Sequence, residues 1–168
     1  QTCALPICDR GGVYAIRNLT EVFPEVRELR KHPNVARLVA AALNEDALLV
    51  RGLFFDKTAD SNWGVFWHQD LSIAVKRKEP VDGFGPWSVK AGVQHVQPPA
   101  SILNRMLTVR LHLDECAEAN GALRVIPGSH RDERLTERES LQLQEHSAPL
   151  VCEVGIGGAV VMKPLLLH

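Results

Sequence analysis

Apolar and polar positions divide the chain into a helical beginning and a longer β-rich remainder. From Asn18 to Asn44 the apolar residues recur at helical spacing, with Val35, Leu38, Val39, Ala42 and Leu43 in one stripe. Thr20 is placed to cap a first segment and Pro33 to open a second, so helices are expected over about 18–45. The apolar run Ala47 to Phe55, interrupted by Arg51 and Gly52, reads as a buried strand, and 57–62 as a polar loop. Val65 to Val75 reads as a further strand. Breakers then crowd the chain from 76 to 101 (Pro80, Gly83, Gly85, Pro86, Gly92, Pro98 and Pro99), which predicts a long irregular loop of the kind that lines or covers a site.

Beyond that loop strict alternation sets in. Leu107, Val109, Leu111 and Leu113 lie on one face, and Thr108, Arg110 and His112 on the other. Asn120-Gly121 marks a turn before a strand over Ala122 to Ile126, closed by Pro127-Gly128-Ser129-His130. Arg131 to His146 is highly charged, and Thr136 with Glu139 has capping-box spacing for a short exposed helix. Strands over Leu150 to Val154 and Ala159 to Met162 flank the glycine turn Gly155-Ile156-Gly157-Gly158, and Pro164 leads into a terminal strand. Many short strands with helices gathered at the N-terminal side predict a mostly β, α+β fold of sandwich or barrel type.

Composition narrows the partners. The 168 residues are 45% hydrophobic and 23% charged, which suits one soluble globular domain. A net charge of -1 and the absence of a long basic run argue against nucleic acid and membrane surfaces; Lys76-Arg77-Lys78 is the densest basic cluster and is short. With no apolar run of about 18 residues, a cytoplasmic protein is expected. Cys3, Cys8, Cys116 and Cys152 lack zinc-knuckle spacing and are too few for a disulfide scaffold, so they read as free thiols. The opening residues 1–7 resemble a translated sequencing adapter, and 1–8 are set aside as a non-native or disordered leader, leaving 9–168 as a single domain. The last residues, Leu165-Leu166-Leu167-His168, read as a strand cut short, hence as a fragment truncated at its C-terminus.

The chemistry concentrates in Trp63-Gly64-Val65-Phe66-Trp67-His68-Gln69-Asp70. In a strand, residues two apart point the same way, so His68 and Asp70 converge while Gln69 faces away. One imidazole and one carboxylate, completed by a distant second imidazole, make the facial triad that holds iron(II) and leaves positions open; His168 is the candidate third ligand. Alone, a His and an Asp two apart are a weak motif. In the 76–101 loop, Trp87, Lys90, Gln94 and His95 offer stacking surface and polar groups, with an irregular loop as the plain alternative. Arg110 is a candidate anion clamp if the polar face of its strand lines a pocket, and a solvated residue if that face meets water.

Three separated pieces then stand in order: Trp67-His68-Gln69-Asp70-Leu71, Asn120-Gly121-Ala122-Leu123 through Pro127-Gly128-Ser129-His130, and Pro164-Leu165-Leu166-Leu167-His168. Together they resemble the phytanoyl-CoA dioxygenase family over roughly Ala47 to His168. The resemblance implies a double-stranded β-helix (jelly-roll, cupin-like), incomplete at the C-terminus. It also implies an iron(II) centre, 2-oxoglutarate as cosubstrate, and hydroxylation of a small molecule by dioxygen with release of succinate and CO2. By position it assigns His68, Asp70 and His168 as metal ligands, and Leu53 and Arg110 to strands bordering the 2-oxoglutarate pocket. His130 falls in a structural turn beside the site and not among the ligands. The resemblance implies a 2-oxoglutarate-anchoring arginine beyond the distal histidine, past His168, and Gly158 stands where the family often has an acidic residue. Trp63 and Trp67 are candidates for an apolar shell about the metal. The alternative from another class is a non-oxidative, cupin-type module that binds a metal or small molecule.

Overall fold

The computed structural model describes residues 7–9, 12–44, 47–56 and 64–168, and Cys3, Trp63 and the polar loop expected over 57–62 lie outside them. Two compact units are present, one built from Gln1–Trp63 and Ser72–Pro98, the other from Gly64–Leu71 and Pro99–His168. Among the described residues the strands form four small antiparallel sheets and no barrel, so the fold is α+β.

In the first unit, β1 (Ile7–Asp9) pairs with β2 (Gly12–Ile16), which pairs with β3 (Phe54–Phe55). Ile7 and Cys8, assigned to the leader from the sequence, therefore belong to a strand. Helix α1 (Leu19–Val22), a 3-10 helix over Pro24–Lys31 and α2 (Pro33–Leu43) follow β2. Pro33 opens α2 as expected, after His32, whose ring nitrogen accepts from the Asn34 N–H at 3.3 Å. Thr20 does not cap α1; it lies inside the helix, buried, and Asn18 holds the cap position.

The apolar run 47–55 is not a buried strand. Only its last two residues are in β3, and Leu48, Leu49, Val50, Leu53 and Phe55 are exposed. Its polar groups turn elsewhere: the Gly52 carbonyl accepts from Leu19 N–H at 3.0 Å, and the Arg51 guanidinium donates to the Arg17 carbonyl at 3.3 Å. The expected irregular loop 76–101 contains regular structure as well. Here β5 (Trp87–Lys90) and β6 (Val93–Val96) form a hairpin, and β6 also pairs with β4 (Ile73–Val75). Ala91 and Gly92 make the turn with φ of 50° and 77°, the doubly positive pair that a two-residue hairpin needs to follow the strands' twist.

The second unit holds α3 (Ala100–Leu103), β7 (Thr108–Leu111), β8 (Leu123–Val125), α4 (Glu137–His146), β9 (Leu150–Cys152) and β10 (Ala159–Met162). Strand β7 pairs with β10, and β8 with β9. Thr136 caps α4 as its spacing predicts: its hydroxyl accepts from Glu139 N–H at 3.3 Å, while the Glu139 carboxylate accepts from Thr136 N–H at 2.8 Å. Cys116 and Cys152 are free thiols. The buried apolar residues of this unit are Leu103, Val125, Ile126, Met162, Leu165 and Leu167. Each such aliphatic side chain contributes about 1.5–3 kcal/mol on leaving water.

The turn between β9 and β10 explains the glycine at 158. A Cβ there would stand 2.5 Å from Val154 Cγ1 and 3.0 Å from the Gly155 carbonyl oxygen, so an acidic side chain at this position has no room. The same turn is bonded to the end of β7. Gly157 N–H donates to the His112 carbonyl at 2.8 Å, and His112 N–H to the Gly158 carbonyl at 3.0 Å.

Candidate metal centre

His68 and Asp70 do not sit in a regular strand. Of the expected strand 65–75 only Ile73–Val75 forms one, and the stretch 68–70 is held instead by the last residues of the chain. His68 N–H donates to the His168 carbonyl at 2.8 Å, His168 N–H returns a bond to the His68 carbonyl at 3.0 Å, and Asp70 N–H donates to the Pro164 carbonyl at 2.8 Å. The pairing is short because the chain turns at its start: Leu166 N–H donates back to the Lys163 carbonyl at 3.0 Å, and proline has no N–H to give. The same turn replaces the terminal strand expected after Pro164.

Local extension still produces the alternation that the chemistry requires. His68, Asp70 and His168 each offer one ligand atom, and these atoms lie within 4.8 Å of one another. The two rings stand 4.4 Å apart, tilted by 50°, and His168 Nε2 is 4.0 Å from an Asp70 carboxylate oxygen. Gln69 points the other way and is buried. Its amide nitrogen donates to the Glu133 carbonyl at 2.8 Å and the Leu165 carbonyl at 2.6 Å, and its oxygen accepts from Leu135 N–H at 2.9 Å.

Both imidazoles are prepared for ligation in the same way. His68 Nδ1 lies 2.8 Å from the Phe66 carbonyl oxygen and His168 Nδ1 lies 2.7 Å from that of Leu166. A carbonyl oxygen only accepts, so each Nδ1 carries the proton and each Nε2 presents its lone pair. Burial pushes the His168 imidazole below its ordinary range, helped by the charges of His68 and Arg110 and opposed by the Leu166 bond and Asp70. The ring is thus kept neutral, which is the state that binds a metal. Three donors at right angles around an ion, each at about 2.1 Å, stand about 3 Å apart. The observed separations, 4.0 Å for His168 Nε2 to Asp70 and up to 4.8 Å across the set, need to close by about 1–2 Å, and the donor types fit such an ion.

A buried serine fixes the approach of His168. Ser129, 2% exposed, donates to the Ile126 carbonyl at 2.8 Å and accepts from Leu167 N–H at 2.8 Å, while Ile126 N–H donates to the Leu167 carbonyl at 2.9 Å. The Pro-Gly-Ser-His turn therefore acts through its serine; His130 lies in the 3-10 turn Ser129–Asp132, outside the cluster of ligands. Neither this serine nor Gln69 was assigned a role from the sequence. The signal for Gln69 was present: a polar residue at the inward position between two outward ligands must find partners inside.

Arg110 is on β7 opposite Val160, partly buried, and its charge acts on both His168 and Cys152. The alternation of its strand is reversed relative to solvent. His112 is buried, whereas Leu111 and Leu113 are 39% and 69% exposed, so at this end of the alternating stretch the polar residue turns inward. Leu53 belongs to the first unit and is 43% exposed; its assignment rests on family resemblance alone. In that unit His95 is fully buried, with Nδ1 donating to the Val93 carbonyl at 2.9 Å, and Lys90 Nζ donates to the Ser72 hydroxyl at 3.0 Å. Trp67 is partly buried in the second unit.

Two imidazoles and a carboxylate gathered on one point define a candidate site of the mononuclear, two-histidine-one-carboxylate class. The sequence as a whole matches the family model Phytanoyl-CoA dioxygenase (PhyH) over residues 7–168, and the chain belongs to that family. The family is one of iron(II)- and 2-oxoglutarate-dependent dioxygenases, and membership implies an oxygenase. No curated protein matches the chain. No described helix is long and apolar enough to cross a membrane.

Proposed function

We propose that the protein is an iron(II)- and 2-oxoglutarate-dependent dioxygenase that hydroxylates a small molecule. The observation that carries this reading is the convergence of His68, Asp70 and His168 within 4.8 Å in a chain of this family. In this reading β7 with β10 and β8 with β9 are parts of a double-stranded β-helix. His68 Nε2, His168 Nε2 and an Asp70 oxygen would hold iron(II). When bound, iron and 2-oxoglutarate supply the oxidising chemistry, with decarboxylation to succinate and CO2.

The chain's own residues do the rest. The Phe66 and Leu166 carbonyls orient the two rings and keep their Nε2 atoms unprotonated. The Asp70 carboxylate supplies the anionic ligand and offsets part of the metal's charge. Arg110, whose field reaches His168, binds a carboxylate of 2-oxoglutarate by its planar fork of donors. Ser129 fixes the backbone that delivers His168.

Anaerobic titration with iron(II), followed by 2-oxoglutarate, tests the reading. One metal is expected to bind per chain, His68→Ala and Asp70→Ala are each expected to abolish that binding, and succinate is expected once air is admitted together with ascorbate, which reduces the second oxygen atom in place of a substrate. Metal binding with no 2-oxoglutarate turnover in the presence of air would favour a non-oxidative binding module. Undiminished binding in both variants would remove these residues from the site.

A further inference from the structure

Gln69 lies between two metal-ligand candidates, yet its side chain is on the far side of the backbone and nine-tenths buried. Among the described residues its hydrogen-bond partners there are backbone groups. Its two amide hydrogens face the carbonyls of Glu133 and Leu165, at 2.8 and 2.6 Å, and its oxygen faces Leu135 N–H at 2.9 Å. The orientation of the amide is therefore unambiguous, since reversing it would set oxygen against two carbonyls. One of these partners is conformationally costly. Glu133 has φ of 58° and ψ of -136°, a region that a residue with a side chain rarely occupies and that persists only where its surroundings hold it.

The arrangement has a mechanical meaning. Backbone bonds join His68 and Asp70 to His168 and Pro164, and by themselves they define only a line about which any rocking of the 68–70 stretch would turn. Rocking would swing the imidazole of His68 and the carboxylate of Asp70 together, relative to His168. The Gln69 bond to Leu165 resists it from the opposite face, and the bonds to Glu133 and Leu135 anchor the same side chain in the turn before α4. Ligand constellations need tolerances of about 0.5 Å and 10–20°, so a support of this kind governs affinity without touching the ion.

We infer that Gln69 is a positioning residue for the metal centre, fixing the tilt of the His68–Asp70 pair against the 164–168 segment and tying it to the turn before α4. The inference rests on the metal reading above. Its test is cobalt(II) affinity, read from the visible spectrum at a temperature where every variant is folded. Gln69→Met keeps the length and removes every hydrogen bond; Gln69→Glu keeps the acceptor for Leu135 but turns oxygen toward two carbonyls.

Each is expected to weaken cobalt binding about 10–100-fold, the usual effect of losing a residue that supports a ligand. Gly158→Ala, a strained substitution in the same unit and remote from the ligands in sequence, serves as the stability comparator and is expected to keep wild-type affinity. Wild-type affinity in either folded Gln69 variant, with only the melting temperature lowered, would overturn the inference. Loss of binding in wild type itself, or its survival in His68→Ala, would instead overturn the metal reading together with it.

Discussion

Replacing Ser129 by alanine isolates how much of the distal ligand's position depends on one hydroxyl. The side chain is 2% exposed and sits between the Ile126 carbonyl and Leu167 N–H, at 2.8 Å from each. Leu167 is itself 1% exposed, so its N–H would lose its partner in a place water does not reach. A buried donor left unsatisfied costs about 1–3 kcal/mol, and a lost neutral hydrogen bond about 1 kcal/mol. The Ile126 carbonyl keeps a weaker partner in Ser129 N–H at 3.3 Å, which offsets part of the second cost. A loss of about 2–3 kcal/mol is expected, a large share of the roughly 5–15 kcal/mol that holds a domain folded. At about 2–4 °C per kcal/mol for a chain of this size, the melting temperature should fall by about 4–12 °C. Thermal unfolding followed by circular dichroism reads this directly, with exposed Ser101→Ala as a control expected to stay within about 0.5 kcal/mol of wild type. If Ser129→Ala melts with the control, the hydroxyl does not bridge these two groups.

Two further outcomes follow from the geometry. Burial is the leading cause that lowers the proton affinity of His95, His112 and His168 below the ordinary 6.5, so the unfolded chain binds protons that the folded one refuses. Their contribution to stability is complete above pH 6.5 and is lost as pH falls from there through the depressed folded values; melting curves of metal-free protein should show a steady fall below pH 6.5, and a rise would contradict it. Gly158→Ala forces a Cβ against Val154 Cγ1 and should cost about 1–3 kcal/mol in urea unfolding, whereas combining it with Val154→Ala should cost less than the sum of the two single losses. Simple additivity would show that the two groups do not meet.

The parts of the molecule legible in the sequence are those fixed by local chemistry. Thr136 and Glu139 specify the start of α4, Pro33 opens α2, and the strand after the glycine turn, β10, is observed at its predicted bounds. The candidate triad was legible because two of its residues share a motif and alternate even in an irregular stretch. What escaped was set by distant partners. The β5–β6 hairpin turns on Ala91-Gly92, a pair without the asparagine or aspartate that usually announces such a turn, amid prolines and glycines that suggest no strands at all. The run from 47 to 55 has the composition of a core strand, but its hydrogen-bonding groups are drawn to Leu19 and Arg17. On β7 and just beyond it the alternation was plain while its direction was not, because His112 is buried while Leu111 and Leu113 are exposed.

The reciprocal backbone bonds between His68 and His168 would couple two events on the metal reading, the docking of the 164–168 segment on 68–70 and the assembly of the candidate ligand set. A metal held by both residues binds the docked form and has no such grip on the undocked one. Free metal at 100 times its dissociation constant would then add about 2.7 kcal/mol to docking. On the metal reading proposed above, chelation would loosen the 164–168 segment from 68–70, and whatever anchors that segment would raise affinity for the ion by the same factor.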